Sequence, residues 1–297
     1  MGIKMRIHET YQTKKPVLSF EIFPPQKASA LAGIDETLEQ LCQLHPDFIS
    51  VTFGAGGSAN ELKDNKTIEI GRKIKNDYGT LPLIHLTCLN YDQEDIVRIL
   101  ERLKEEKLDH ILALRGDLAA DVVPKQAFKY AKDLVAFIKN QNKNQNDFSI
   151  GAACYPETHL EAPDAVTDIH NLKEKVEAGA DLLISQLFFD NQVFYDFYEK
   201  TRIAGIDVPI SAGIMPVTNK KQIERMISLC GASLPMKFKR ILDRYEDNPE
   251  ALFDAGMAYA INQIVELIAS GVDGIHIYTM NRPIIAKRIC EGIRNLI

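Results

Sequence analysis

Short apolar runs alternate with longer amphipathic stretches from one end of the chain to the other, and this alternation limits the fold more than any other feature. The runs predict strands over residues 17–24, 48–53, 83–88, 110–115, 149–155, 182–189, 209–215 and 274–280. Helical patterns lie between them, over 59–78, 93–107, 126–140, 165–178, 192–204 and 219–229. In the second of these, Ile96, Ile99, Leu100 and Leu103 share one face; in the third, Phe128, Leu134, Val135 and Ile138 do. Eight strands each followed by a helix predict an α/β fold of the parallel (β/α)8 type, a TIM barrel, and 297 residues suit it. Residues 234–270 exceed the repeat. They read as two helical segments broken near Asp247-Asn248-Pro249, extra helices between strands seven and eight within a single barrel domain spanning 1–297. A doubly wound sheet is the fold alternative, because periodicity does not establish closure.

Composition narrows the class. The chain is 45% hydrophobic and 26% charged, as soluble globular proteins are, with a net charge of -6 that disfavours nucleic-acid and membrane-surface partners. Five well-separated cysteines with no C-x-x-C pair fit unpaired thiols in a reducing compartment. The N-terminus carries no apolar signal region, and no apolar run is long enough to span a bilayer, so the expected location is cytoplasmic.

Within the first strand, VLSFEIFPP over 17–25, Glu21 sits among Leu18, Phe20, Ile22 and Phe23, and Pro24-Pro25 end the run. A charged carboxylate there costs several kcal/mol unless it is paired, protonated or facing a polar cavity. Barrel chemistry lies at the C-terminal ends of the strands, and those ends are polar almost throughout: Glu21, Thr52, His85 with Thr87, Arg115 with Asp117, Tyr155 with Glu157 and His159, Gln186, and Asn281 with Arg282. A purely structural barrel does not need this convergence, so it predicts an active-site mouth. Singly, the signals are weaker: His85 alone reads as a core histidine, and Arg115-Gly116-Asp117 as a turn with a local ion pair. The turn Gly54-Ala55-Gly56-Gly57-Ser58 lacks the lysine of a P-loop. There is no H-E-x-x-H, other metal-ligand spacing or G-x-S-x-G, so no metal is expected and serine-nucleophile chemistry is disfavoured.

Eight segments, taken in order, resemble one family. FEIFPP (20–25), SVTFGAGGS (50–58), HLTC (85–88), ALRGD (113–117), AACYPETH (152–159), SQLFFD (185–190), GIMPVTN (213–219) and YTMNRP (278–283) are similar to methylenetetrahydrofolate reductase, in its bacterial form of catalytic barrel alone. The resemblance implies a barrel with non-covalent FAD. It implies reduction of 5,10-methylenetetrahydrofolate to 5-methyltetrahydrofolate by ping-pong hydride transfer, with NADH or NADPH as donor, and a homo-oligomer. In that family the folate's imidazolidine ring opens to an iminium, which needs a proton on nitrogen. Glu21 matches the catalytic acid, with the expectation of a raised pKa. Asp117 matches the aspartate near flavin and pterin.

The implied FAD contacts are Thr52, Phe53, His85, Arg115, Gly116, Asp117, Tyr130, Ala131, Tyr155, His159, Asp168, Asn171 and Lys175. Arg115, His159 and Lys175 suit a pyrophosphate, and Asp168 suits ribose hydroxyls. Asp168, Asn171 and Lys175 stand at i, i+3 and i+7, on one helix face whatever the family. Thr52, Asp117, Gln186, Gln222 and Arg282 match substrate contacts. Two positions depart from the pattern: Glu174, where some members have a basic residue, and Met226, where an aromatic can pack on the substrate. The competing readings are another FAD barrel oxidoreductase, resembling proline dehydrogenase; a flavin-free barrel lyase, for which no Schiff-base lysine or metal cluster is evident; and a non-catalytic flavin or folate binder.

Overall fold

The computed structural model of the protein describes residues 6–25, 31–53, 66–117, 124–125, 127–141 and 148–297. Eight parallel strands form a closed barrel in chain order: β1 (Val17–Ile22), β2 (Phe48–Val51), β3 (Leu81–Thr87), β4 (His110–Leu114), β5 (Ser149–Cys154), β6 (Leu182–Ser185), β7 (Ile210–Ile214) and β8 (Gly274–Tyr278). The ring closes where Val17 of β1 pairs with Gly274 of β8. The doubly wound alternative is thereby excluded.

Alternation along each strand sorts the side chains. Leu18, Phe20 and Ile22 of β1 join Ile49, Val51, Ile84 and Leu86 in the large outer core under the helices. Val17, Phe48, Leu83, Leu112 and Leu182 fill the bottom of the barrel, where the short helix α1 (Ile7–Thr13) plugs the hole with Ile7 and Tyr11. The Tyr11 hydroxyl reaches Ser211 Oγ of β7 at 2.7 Å. Going up from this apolar floor, the inward positions turn polar: Ser19 and Ser50, then His276, then Glu21 and His85.

The outer helices are α2 (Leu31–Cys42), α3 (Lys66–Asn76), α4 (Gln93–Glu105), α5 (Ala131–Gln141), α6 (Ala165–Glu177), α7 (Asn191–Ile203), α8 (Lys220–Cys230) and α11 (Pro283–Ile293). The surplus segment between β7 and β8 is the pair α9 (Met236–Tyr245) and α10 (Pro249–Ala269). Asn248 caps α10 by accepting from the Ala251 N–H, and Pro249 takes the first-turn position where its missing N–H costs nothing.

Element ends differ from expectation for identifiable reasons. β6 stops at Ser185, although the apolar run continues to Phe189, because Phe189 leaves the sheet to pack on Phe238 of α9 at 5.4 Å. α5 starts at Ala131, not at 126, because the Asp133 carboxylate accepts from the Lys129 and Tyr130 N–H groups and ends the preceding turn there. α1 was not expected from the pattern. The glycine turn 54–58 and the first part of the predicted helix 59–78 lie outside the described residues. All five cysteines are free. No described helix is long and apolar enough to cross a membrane. Among the described residues no cluster of acidic, histidine or cysteine side chains could hold a metal ion.

Candidate active site

At the C-terminal end of the barrel a cavity of about 500 Å³ opens. Every strand sends a residue to its wall: Glu21 of β1, Thr52 and Phe53 after β2, His85 and Thr87 of β3, Leu114 of β4 with Arg115, Gly116 and Asp117 beyond it, Ala153 of β5 with Tyr155, Gln186 after β6, Met215 after β7, and Tyr278 of β8. A second cavity, of about 370 Å³, shares Arg115, Tyr155 and His159 with the first and runs outward between α5 and α6. Its wall carries Tyr130, Ala131, Asp168, Asn171 and Lys175. The structure thus brings together both candidate catalytic residues, all the candidate cofactor contacts, and three of the five candidate substrate contacts. The exceptions are Gln222 and Arg282. Gln222 is exposed in the first turn of α8, and its helix mate Met226 lines the cavity instead. Arg282 lines neither cavity; it donates to Thr218 Oγ1 at 2.8 Å and lies over the Phe253 ring.

At Glu21 three titratable side chains converge. Its side chain is 21% exposed, and its Oε2 stands 3.5 Å from His85 Nε2 and 3.6 Å from His276 Nε2. The sequence predicts a raised carboxyl pKa here; the structure gives the opposite. Burial does push Glu21 up, but the His276 hydrogen bond and the two nearby imidazoles outweigh it and hold the carboxyl below its ordinary value. Burial pulls His85 down to about 4, against the opposing pull of Glu21, so this ring is neutral at neutral pH. His85 Nε2 is buried without a hydrogen-bond partner in the protein, which marks it as a place for a polar ligand atom.

The sequence also leaves open a pairing of Arg115 with Asp117, and the structure settles it differently. Arg115 binds Glu161 through two parallel hydrogen bonds of 2.5 and 2.7 Å, leaving Asp117 exposed at the cavity edge. Gly116 turns the chain between them at φ +88°, and a β-carbon there would come within 3.0 Å of Thr87.

In the second cavity Asp168 accepts from the His159 N–H at 3.0 Å, and His159 Nδ1 accepts from the Glu161 N–H. This fixes His159 with Nε2–H as the free donor in its neutral form. Lys175 donates to the Ala153 carbonyl at 2.7 Å, and burial lowers its pKa. Glu174, the position that departs from the resemblance, bridges to Lys132 at 2.7 Å on the outer wall. Glu157 is turned away from the mouth, receiving the Ser233 N–H on both oxygens.

Sequence reasoning missed Ser19, Ser50, His276, Tyr278 and Glu161. The first four were within reach: Ser19 lies two residues before Glu21, Ser50 two before Thr52 and His276 two before Tyr278, so period-two alternation puts each pair on one face. Glu161 had no such signal, because its partner is 46 positions away.

A closed (β/α)8 ring with a carboxyl, two imidazoles and a long two-chambered cavity at its C-terminal rim defines a barrel protein of the enzyme class. Within that class the chain belongs to the methylenetetrahydrofolate reductase family, whose model matches residues 6–294. It is 35% identical to the 5,10-methylenetetrahydrofolate reductase of Pectobacterium carotovorum subsp. carotovorum over 93% of this chain and 90% of that protein. It is likewise 35% identical to the protein of that name from Escherichia coli (strain K12), over 93% and 91%. Against methylenetetrahydrofolate reductase (NADH) 1 of Arabidopsis thaliana it is 34% identical, over 95% of this chain and 49% of that longer one. A solved Clostridium thermocellum protein, described as binding two copies of 5-methyl-5,6,7,8-tetrahydrofolic acid, superposes with a TM-score of 0.68 at 16% identity, covering 98% of this chain and 99% of that one. At that identity the likeness concerns the fold.

Proposed function

We propose that the protein reduces 5,10-methylenetetrahydrofolate to 5-methyltetrahydrofolate at the barrel mouth, using NAD(P)H and a non-covalent FAD, as a step of one-carbon metabolism. One observation carries the reading: Glu21 faces the cavity with the His85 imidazole beside it and the buried His276 imidazole behind it, where a ring nitrogen of the folate needs a proton. Family membership supplies the substrate class.

The residues present fit FAD. The orphaned His85 Nε2 calls for a polar partner, Gly116 lets the backbone approach closely, and Tyr130, 43% exposed, offers a flat face at the outer chamber. Bound there, FAD supplies a two-electron carrier that accepts hydride from the nicotinamide and passes it to the folate. Arg115, His159 and Lys175 would hold the pyrophosphate, and Asp168 with Asn171 the ribose hydroxyls. Thr52, Phe53, His85 and Asp117 would surround the reactive end. The shared chamber walls let an elongated molecule reach from Tyr130 to Glu21.

On the substrate side, Glu21 gives a proton to the imidazolidine nitrogen, whose C–N bond breaks with its electron pair going to nitrogen; the carbon is left as the iminium. Asp117 accepts from the pterin's N–H donors, and Gln186 meets the pterin edge. Met215, Met226, Met280 and Leu187 form an apolar wall that excludes water from the reacting carbon. Gln222 and Arg282 line neither cavity, so their part in holding the folate rests on the resemblance alone.

The test separates the two half-reactions. The purified protein is expected to show flavin absorbance that bleaches anaerobically with NADH or NADPH and returns with methylenetetrahydrofolate. Glu21→Gln is expected to leave the bleaching within twofold and slow the return by at least a hundredfold, the size of a lost general acid. A colourless protein that binds no FAD would overturn the reading, as would a Glu21→Gln variant in which both half-reactions survive.

A further inference from the structure

Behind Glu21 the barrel interior holds a chain of groups that the proposed function does not use. His276, midway along β8, is fully buried. Its Nδ1 lies 2.7 Å from Ser19 Oγ, and its Nε2 faces Ser50 Oγ at 3.4 Å and Glu21 Oε2 at 3.6 Å. Phe48 stacks on one face of the ring, and Tyr278 meets it edge-on at 5.3 Å. Ser19 Oγ also lies 3.3 Å from the Ile275 carbonyl. When its one hydroxyl proton goes to that carbonyl, its oxygen accepts from the ring, and Nδ1 then carries a proton in every charge state of His276.

This tautomer fixes what lies between ring and carboxyl. With Nδ1 protonated, the neutral imidazole aims the Nε2 lone pair at Glu21. A bare carboxylate and a bare ring nitrogen facing each other are two acceptors with only the Ser50 hydroxyl to share, whereas one added proton satisfies both. Glu21 and His85 line the cavity; His276 does not. The other titratable groups around the ring do not compete for that proton at neutral pH. His85 is neutral, and Tyr278, buried, keeps its own proton well above the ordinary range.

We propose that His276 is a positioning residue that stores the transferable proton at Nε2 and hands it to Glu21, which passes it to the folate nitrogen. This inference rests on the folate reading above. In the resting pair one proton lies between Glu21 Oε2 and His276 Nε2. As the folate C–N bond breaks, the nitrogen takes a proton from Glu21, and Glu21 takes one from His276 Nε2. The ring is left neutral, still donating Nδ1–H to Ser19. One proton from solvent, entering through the cavity, resets the pair, matching the one proton that the reduction consumes. The arrangement explains how a carboxyl held low by its neighbours can still act as an acid: the proton waits on nitrogen, out of reach of water, until the substrate's nitrogen becomes basic enough to draw it through.

The test is the pH profile of each half-reaction in the FAD-loaded protein. His276→Gln keeps an N–H near the Nε2 position but holds no transferable proton. In this variant the folate-dependent step is expected to slow tenfold or more at pH 7, with its alkaline limb displaced by at least one pH unit toward acid. The NADH-dependent step should keep its rate within twofold. Ser19→Ala, which keeps the ring and frees its tautomer, should move the same limb by a smaller amount. Nitrogen-15 NMR of the histidine-labelled wild type needs no variant. One ring is expected to keep Nδ1 protonated throughout while its Nε2 titrates, and that titration should move in Glu21→Gln. An unmoved alkaline limb in a folded His276→Gln, or a His276 ring with bare Nδ1, overturns the inference. If Glu21→Gln still blocks the folate step in that case, the folate reading stands alone. If Glu21→Gln spares both half-reactions, the two fall together.

Discussion

Arg115 is one of the three groups proposed to hold the pyrophosphate, yet in this structure Glu161 already occupies it with a two-pronged grip. An incoming diphosphate and the Glu161 carboxylate compete for the same fork of donors. Glu161 is 55% exposed, so the pair is screened and is worth only about 0.2–1 kcal/mol. Glu161→Gln is therefore expected to raise FAD affinity by up to about fivefold, read by fluorescence titration of the FAD-free protein. A fall in affinity would show that Glu161 assists binding and does not compete. The contrast with Glu21 shows what a sequence reveals at this scale. Glu21 was legible because a carboxyl in an apolar strand is costly and needs a reason. Glu161 sits in an ordinary polar loop, and nothing local names its partner. His276 lies in a run, GIHIY, where a histidine reads equally well as core. Its role depends on two serines from other strands and on the carboxyl above it. The direction of the Glu21 shift was missed for the same reason, since the imidazoles that lower it arrive through tertiary structure.

Two helices carry glycines whose replacement by alanine should have opposite signs. In α2, Gly33 has nothing within 4 Å of where a β-carbon would sit, so Gly33→Ala should stabilise by up to about 1 kcal/mol through helix propensity. In α10, a β-carbon at Gly256 would run into the Val217 carbonyl oxygen, backbone that cannot swing aside. Overpacking of that kind costs about 1–3 kcal/mol, so Gly256→Ala should lower Tm despite the same gain in propensity. Equal shifts in the two variants would mean that α10 does not lie tight against the loop after β7. That contact matters for function, because Val217 belongs with Met215, Phe189 and Phe238 to the cluster that supports the mouth between β6, β7 and the inserted helices. At the scale of elements the chain was largely readable. All eight strands and the insertion follow from apolar periodicity, and the break before α10 follows from Asn248-Pro249. The ends were less so, since an apolar residue just past a strand, such as Phe189, carries no mark showing that it packs on an inserted helix and not in the sheet. α1 was missed because its seven residues, with Ile7 and Tyr11 the buried apolar ones, are too few to establish a period.

For the whole molecule the demanding step is closure, since β1 must meet a strand more than 250 positions away, and no local pattern dictates that it will. Asp273, immediately before β8, is the side chain that ties the seam. Its Oδ1 takes the Lys15 ammonium at 2.7 Å; its Oδ2 takes Tyr198 Oη, Arg202 and the Ile210 N–H, each at 3.1 Å; and its own carbonyl receives the Val17 N–H. One buried carboxylate thus joins α7, β7 and the approach to β1, at the end of the barrel opposite the cavity. Asp273→Asn keeps the shape but removes the charge and turns an N–H₂ toward groups that are themselves donors. Breaking one partner of a buried ionic network costs about 3–5 kcal/mol, which for a chain of this size lowers Tm by about 10 °C. Lys15→Met removes the partner that is 59% exposed and should cost less than about 1 kcal/mol. Thermal denaturation of the two variants side by side checks the ranking, and equal losses would show that Asp273 draws little from its buried partners. Because stability and chemistry occupy opposite ends of a barrel, Asp273→Asn well below its Tm should retain the pH profiles of both half-reactions. A shifted alkaline limb in that variant would mean that the seam and the Glu21–His276 pair are coupled through β8, the strand that carries both Gly274 at the closure and His276 below the mouth.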